Sequence, residues 1–136
     1  MRVLIDTNVL LDYLLAREPF FDSSKKIMEA CGKEKISACI AAHSVPNMFY
    51  IMRKAFTQQE RRELLIGICQ LFDVEGIDKF KIIDALQKDS FDDFEDCLQS
   101  ECASSYRADY IVTRNLDDFS ESIVPAIDPQ EFCTML

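Results

Sequence analysis

The sequence predicts an α/β fold in which helices cover both faces of a central, mainly parallel sheet of four to five strands. Short apolar runs of strand length alternate with amphipathic stretches of helical spacing along the chain. Parallel neighbours in a sheet need crossover connections, and the helical stretches supply them. A length of 136 residues, with 49% apolar side chains and only three glycines and four prolines, suits one packed domain over residues 1–136.

Local signals define the elements of the N-terminal half. Pro19 suits the first turn of a helix that Gly32 can end as a C-cap. Ser44 is a candidate N-cap, and Thr57-Gln-Gln-Glu60 has the form of a capping box. The predicted elements are a strand over residues 3–5, a helix through residue 14, a helix over 19–32, a strand over 35–40, a helix over 44–56 and a helix from residue 57.

The C-terminal half continues the alternation of helices and strands. Asp78 and either Asp92 or Asp93 are candidate N-caps, and Asp128-Pro129 combines a cap with a proline at the first helical position. The predicted elements are a strand over 71–74, a helix over 80–86, a helix that ends near residue 107, a strand over 110–113, a possible fifth strand over 123–127 and a terminal helical turn.

The formal charge of −9 is distributed unevenly. Residues 1–72 carry 10 basic and 8 acidic side chains, a balance of +2, whereas residues 73–136 carry 5 and 16, a balance of −11. An acidic total argues against capture of nucleic acid by the surface as a whole. It allows a local basic track, for which the candidates are Arg53, Lys54, Arg61 and Arg62, although a polar outer face is an equally good interpretation of these residues.

Composition also indicates the cellular compartment. No apolar stretch approaches the roughly 18–20 residues of a membrane span, and an acid at position 6 interrupts the region where a signal peptide has its apolar core. We therefore expect a cytoplasmic protein that does not enter a membrane. The six cysteines include no C-x-x-C pair and the chain has one histidine, so free thiols are expected and a zinc site is not.

Polar side chains follow the first and fourth predicted strands. Asp6 and Asn8 leave the first strand, and the polar stretch 113–118 leaves the fourth. Ligands of parallel sheets gather at such carboxyl ends, near the point where the winding reverses. Asp93 and Asp96, three residues apart at a helix start, share one face of that helix. Three separate segments could thus deliver carboxylates to one place.

Converging carboxylates would need a cation. Two unit charges at about 4 Å repel by about 4 kcal/mol at an effective dielectric near 20. Oxygen ligands suit Mg²⁺ or Mn²⁺, which can support hydrolysis of a phosphodiester. The alternative is structural, because aspartates also cap helices, form turns and cover solvated faces.

Four blocks of the sequence together resemble the PIN domain, in particular the small stand-alone kind that includes the VapC toxins of bacterial toxin–antitoxin pairs. The resemblance extends over essentially the whole chain, and the blocks stand in the same order. They are IDTNVLLD at 5–12, SVPNMFYIMRK at 44–54, DFEDCLQ at 93–99 and YIVTRNLDDF at 110–119.

The resemblance implies a three-layer α/β/α sandwich and an endoribonuclease that depends on Mg²⁺ or Mn²⁺. By position, Asp6 and Asp96 match metal-binding acids, Asp118 lies where some members have their last acid, and Asp93 is a further candidate. The remaining site positions would orient ligands and water; they are Asn8, Asn47, Thr113 and Asn115.

One position departs from the family pattern. The family usually has Glu where Asn47 stands, and an amide offers a metal one neutral oxygen without negative charge. Asn115 is likewise neutral where many members have an acid. Two hypotheses follow: an active ribonuclease held together by the remaining acids, or a weak or inactive PIN-like module that binds RNA or a protein.

The resemblance also implies partners. These are an RNA substrate, a small antitoxin protein and a second copy of the chain in a homodimer. Arg114 lies beside the expected site and could contact a phosphate, although an ion-paired arginine is an equally good interpretation.

Overall fold

The computed structural model describes residues 1–136 and contains five strands and seven α-helices. None of the helices has the length and apolar character that crossing a membrane requires. The strands are β1 (Arg2–Ile5), β2 (Ser37–Ala41), β3 (Asp73–Glu75), β4 (Tyr110–Val112) and β5 (Ala126–Ile127). The helices are α1 (Thr7–Leu14), α2 (Phe21–Gly32), α3 (Ser44–Ile51), α4 (Gln58–Leu71), α5 (Lys79–Gln87), α6 (Phe94–Tyr106) and α7 (Pro129–Cys133), with 3₁₀ turns over Met52–Lys54 and Leu116–Phe119.

All five strands are parallel, in the order β3-β2-β1-β4-β5. The predicted α/β/α sandwich with a central parallel sheet is confirmed. The chain winds outward from β1 through β2 to β3 and then returns to place β4 on the other side of β1. The winding therefore reverses between β1 and β4, where the backbone N–H of Asp6 donates to the carbonyl of Val112 at 3.0 Å.

Alternate residues of β1 face two separate cores. Val3 and Ile5 belong to the larger apolar cluster, which also contains side chains of α1 to α4 and α7. Leu4 belongs to the cluster on the opposite face, with Cys39 of β2 and Cys102 of α6. Val3, Leu4 and Ile5 are fully buried, so β1 is covered on both faces beyond Arg2, as expected of a central strand in a parallel sheet. The two cysteines, like the other four, are free thiols.

The predicted helix starts are mostly confirmed. Thr57 Oγ1 accepts a hydrogen bond from the backbone N–H of Glu60, and the Glu60 carboxylate accepts one from the N–H of Thr57, which completes the capping box of α4. Asp78, Asp93 and Asp128 cap α5, α6 and α7 through their carboxylates.

Two predicted caps are wrong. Gly32 is the last residue of α2, without a left-handed backbone, and Glu34 adopts the positive φ of 57° beyond the helix end. Ser44 makes no cap hydrogen bond; its hydroxyl is 2.7 Å from that of Thr7 and joins α3 to α1. A tertiary partner thus replaces the local one.

Several predicted boundaries also differ from the structure. The helix expected over 44–56 ends at Ile51 and continues as a 3₁₀ turn. The third strand begins at Asp73 because α4 continues to Leu71, and the fifth strand consists of Ala126 and Ile127 alone. These shifts leave the order of elements unchanged.

Candidate active site

A cavity of about 400 Å³ opens at the carboxyl ends of β1 and β4. The segments that form it are the start of α1, the middle of α3, the start of α6 and the loop after β4. Five of its residues carry carboxylates and none carries a basic side chain. The structure brings together seven of the predicted site residues in its wall: Asp6, Asn8, Asn47, Asp93, Asp96, Asn115 and Asp118.

Asp6 is the most buried acid of the cavity, with 4% of its surface exposed. Its Oδ1 accepts from Gln99 Nε2 at 2.8 Å and its Oδ2 from Thr113 Oγ1 at 2.8 Å. Burial raises the pKa of the Asp6 carboxyl, and the two hydrogen bonds act in the opposite direction, with a smaller contribution from the charge of Arg114. Each oxygen keeps a second lone pair for a ligand.

Thr113 is fully buried behind the cavity. Its hydroxyl donates to Asp6 and accepts from the backbone N–H of Asn115 at 3.0 Å. A hydroxyl has one proton to donate. Because the Thr113 oxygen accepts a hydrogen bond from Asn115, its own proton is left to point toward Asp6. Of the predicted polar pair after β4, Thr113 therefore hydrogen-bonds Asp6, and Asn115 lines the cavity.

Asp96 lies among other carboxylates at the start of α6. Burial, as the largest cause, and the negative charges of Asp93, Asp6, Asp118 and Glu95 together raise its pKa to about 7. Asp93 also caps the helix, since its Oδ1 accepts from the backbone N–H of Asp96 at 3.1 Å. The repulsion expected from converging acids is thus present in this cavity.

Asn47 reaches across the cavity to α6. Its Nδ2 donates to Glu95 Oε2 at 3.3 Å, between residues 48 positions apart. Glu95 is exposed, in the first turn of α6, and lines the same cavity. Nothing in the sequence places Glu95 at the site. Asp96 is expected to face the site, and adjacent residues of a helix point in different directions.

Gln99 is a second residue that sequence reasoning missed. It is 4% exposed and lines the cavity one helical turn after Asp96. Its Nε2 donates to Asp6, and its Oε1 is buried without a hydrogen-bond partner. The spacing of three residues from Asp96 is the signal that could have placed it on the same face.

The sequence itself identifies the fold family. Residues 2–117 match the profile of the PIN domain. The chain belongs to the PIN domain family. No curated protein has a matching sequence.

Solved structures of toxin–antitoxin complexes share the fold of this PIN domain along nearly the whole chain. VapBC2 from Rickettsia felis, bound to a DNA fragment from its promoter, matches with 12% identity and a TM-score of 0.68 over 94% of this chain and 98% of that chain. A toxin–antitoxin complex from Klebsiella pneumoniae matches with 21% identity and a TM-score of 0.68 over 93% and 97%. VapBC-1 from nontypeable Haemophilus influenzae matches with 15% identity and a TM-score of 0.66 over 96% and 99%.

The donor set of this PIN domain fits a hard divalent cation in type. All candidate ligands are carboxylate or amide oxygens, which suit Mg²⁺ and Mn²⁺. The unpartnered Oε1 of Gln99 adds a further acceptor at the same place. As positioned, no three His, Cys, Asp or Glu side chains of the chain form a group that could hold one ion. The side chains would therefore have to draw together around a cation.

Arg114 does not line the acidic cavity of the PIN domain. Its Nε donates to Asp12 Oδ2 at 2.7 Å and its Nη2 to Asp12 Oδ1 at 3.1 Å. The guanidinium also lies 3.9 Å above the ring of Phe20. Of the two predicted roles, the ion-paired one describes the geometry of this structure.

The four residues of the predicted basic track lie in the 3₁₀ turn after α3 and in α4. Arg53 and Arg61 each donate to a backbone carbonyl and stack on an aromatic ring, those of Tyr50 and Phe49 respectively. Lys54 and Arg62 are exposed. None of the four lines the acidic cavity, so an RNA strand would meet them only beyond its rim.

Proposed function

We propose that this PIN domain is an endoribonuclease that depends on Mg²⁺ or Mn²⁺ and serves as the toxin of a toxin–antitoxin pair. The observation that carries the proposal is the convergence of Asp6, Asp96 and Asp118 on one cavity at the reversal point of the sheet. The membership of the PIN family and the fold likeness to toxin–antitoxin complexes support the same reading.

In this proposal Asp6, Asp96 and Asp118 hold the cation, with Asp93 as a further candidate. A bound divalent cation would polarise a phosphoryl oxygen and lower the pKa of water. Thr113 orients Asp6 through its hydroxyl. The amides of Asn8, Asn47 and Asn115 can hydrogen-bond water or the RNA backbone, because each offers both donors and an acceptor.

A second candidate function is a weak or inactive module that binds RNA or a protein. Two neutral side chains favour it, since Asn47 and Asn115 contribute no charge where acids would strengthen cation binding. Asn47→Glu separates the two functions. Activity that appears only in this variant, with a large gain in cation affinity, would favour the binding module.

The central test is RNA cleavage by the purified chain after removal of metal with EDTA and addition of Mg²⁺ or Mn²⁺. We expect cleavage to need the added cation and to fall at least about 100-fold in Asp6→Asn, since the transition-state charge then loses most of its stabilisation. Asp22→Asn, an exposed aspartate of α2, is the control. Cleavage that resists EDTA, or survives in Asp6→Asn, would contradict the proposed function.

The proposed partners follow from the same function. RNA would bind beside the exposed Arg53, Lys54 and Arg62, and Arg61 and Arg114 remain further candidates for phosphate contacts. A small antitoxin could place a basic side chain in the acidic cavity, and a homodimer could use exposed apolar side chains of α3 such as Tyr50. Co-expression with the protein encoded next to this chain and sedimentation of the pure chain test the two assemblies. We propose a cytoplasmic location, where RNA is available.

A further inference from the structure

We propose that Glu95 is a cation-binding carboxylate of this site, held in place by the amide of Asn47. The inference rests on the proposed metal-dependent function and adds one residue to it. It starts from a contact between two elements: Asn47 of α3 donates to Glu95 of α6 across the cavity, at 3.3 Å.

The amide fixes the direction of the carboxylate. An ionised Glu95 accepts only, so Asn47 must present its Nδ2 and keeps its own oxygen free. Asn47 also lines the cavity and thereby holds the Glu95 carboxylate at the cavity wall. In this arrangement Glu95 provides the negative charge for the cation, and Asn47 holds the Glu95 carboxylate in position.

The charge of Glu95 is uncompensated within the cavity. The wall contains the carboxylates of Asp6, Asp93, Asp96 and Asp118 besides Glu95, and no lysine, arginine or histidine. Like charges that line one cavity repel each other. A divalent cation bound in the cavity would reduce this repulsion.

An uncharged group gives independent evidence that a ligand belongs here. Gln99 is 96% buried, and its Oε1 has no hydrogen-bond partner although it lines the same cavity. Buried acceptors without a partner are rare in folded proteins. A cation, or a water molecule bound to it, would supply a partner for this oxygen, which an ionised carboxylate cannot do.

The test is the affinity of the metal-free protein for Mn²⁺, measured by electron paramagnetic resonance, in wild type and Glu95→Gln. We expect the variant to bind Mn²⁺ at least about tenfold more weakly. Glu63→Gln is the matched control, because Glu63 also accepts from a side-chain amide, Gln59 Nε2 at 3.0 Å, but on the exposed surface of α4. Glu95 is exposed and the replacement is nearly isosteric, and circular dichroism verifies that the fold is kept.

A second variant asks whether the position of the charge matters. Asn47 and Glu95 meet at one place, so a carboxylate on either would occupy the same part of the cavity. We expect Asn47→Glu in the Glu95→Gln background to restore the Mn²⁺ affinity to within about threefold of wild type.

The outcomes distinguish this inference from the proposed function. If wild type binds Mn²⁺ and cleaves RNA but Glu95→Gln binds Mn²⁺ equally well, only the inference is overturned. The same holds if the double variant stays as weak as Glu95→Gln. If wild type neither binds Mn²⁺ nor cleaves RNA, the proposed function fails and the inference fails with it.

Discussion

Arg114 and Asp12 form a two-point ion pair between residues 102 positions apart. Asp12 lies on α1 with 1% of its surface exposed, and Arg114 directly precedes Asn115 in the loop after β4. The pair therefore fastens the loop that carries Asn115 and Asp118 to the helix that starts at Thr7. Two of the segments that form the cavity are held together from behind.

Asp12→Asn should destabilise the fold. The variant leaves the Arg114 guanidinium without its charge partner in a partly buried place, which typically costs about 3 kcal/mol. Urea denaturation measures the change in the free energy of unfolding. Arg17→Ala is the comparison, because Arg17 approaches Asp12 only to 3.8 Å and is 35% exposed, so its loss should cost less than about 1 kcal/mol. Equal changes in the free energy of unfolding for the two variants would show that the two-point geometry adds no stability.

Gln99→Met should weaken cation binding. Methionine has a similar length but cannot donate to Asp6, so one oxygen of that carboxylate loses its fixed orientation. Loss of such an orienting contact typically lowers metal affinity by about tenfold or more. Calorimetric titration with Mn²⁺ measures the change, and Gln59→Met removes a comparable amide–carboxylate hydrogen bond from the surface of α4. Unchanged affinity in Gln99→Met would mean that Thr113 alone orients Asp6.

Asp96 should make a contribution to stability that is lost as the pH rises from about 4 to about 7. The pKa of Asp96 is raised from 3.8 to about 7 in the folded protein, so between these values the folded state holds a proton that the unfolded chain has released. Rising pH then favours the unfolded chain, and this contribution levels off above pH 7. Asp96→Asn should lack it. Urea denaturation at several pH values tests the difference, and parallel curves for wild type and Asp96→Asn would contradict the assignment.

Thr57→Ala should cost about 1 kcal/mol of stability. The change removes the side-chain acceptor for the backbone N–H of Glu60 and leaves the start of α4 with an unsatisfied donor. Thermal unfolding measures the loss. Gln58→Ala, in the first turn of the same helix but outside the capping box, should stay within about 0.5 kcal/mol of wild type.

Much of the fold could be predicted because its signals are local. The capping box at Thr57 and the aspartate caps at Asp78 and Asp128 depend on residues two or three positions apart, and the structure has each of them. The prediction of Ser44 as an N-cap is wrong because its hydroxyl has a partner 37 positions away, in Thr7. The boundary between α4 and β3 was predicted wrongly for the same reason, since packing rather than local sequence decides where α4 ends and β3 begins.

The site was predictable where strand ends and helix spacing specify it. Asp6 and Thr113 follow paired strands, and Asp93 and Asp96 share a helix start, so topology alone brings them close. Glu95 could not be found in this way, because its relation to Asn47 depends on how α3 and α6 approach each other across the cavity. That approach is a tertiary property with no trace in either segment.

The pairing of β1 with β4 sets Ile5 opposite Val112, one residue before Asp6 and Thr113. Successive side chains of a strand point to opposite faces of the sheet. Slippage of β4 by a single residue would consequently turn the Thr113 hydroxyl away from Asp6 and bring Val112 or Arg114 beside it. The hydrogen bond from Thr113 to Asp6 therefore depends on backbone alignment, and an inserted or deleted residue within 110–112 would break it while every acidic side chain stayed in the chain.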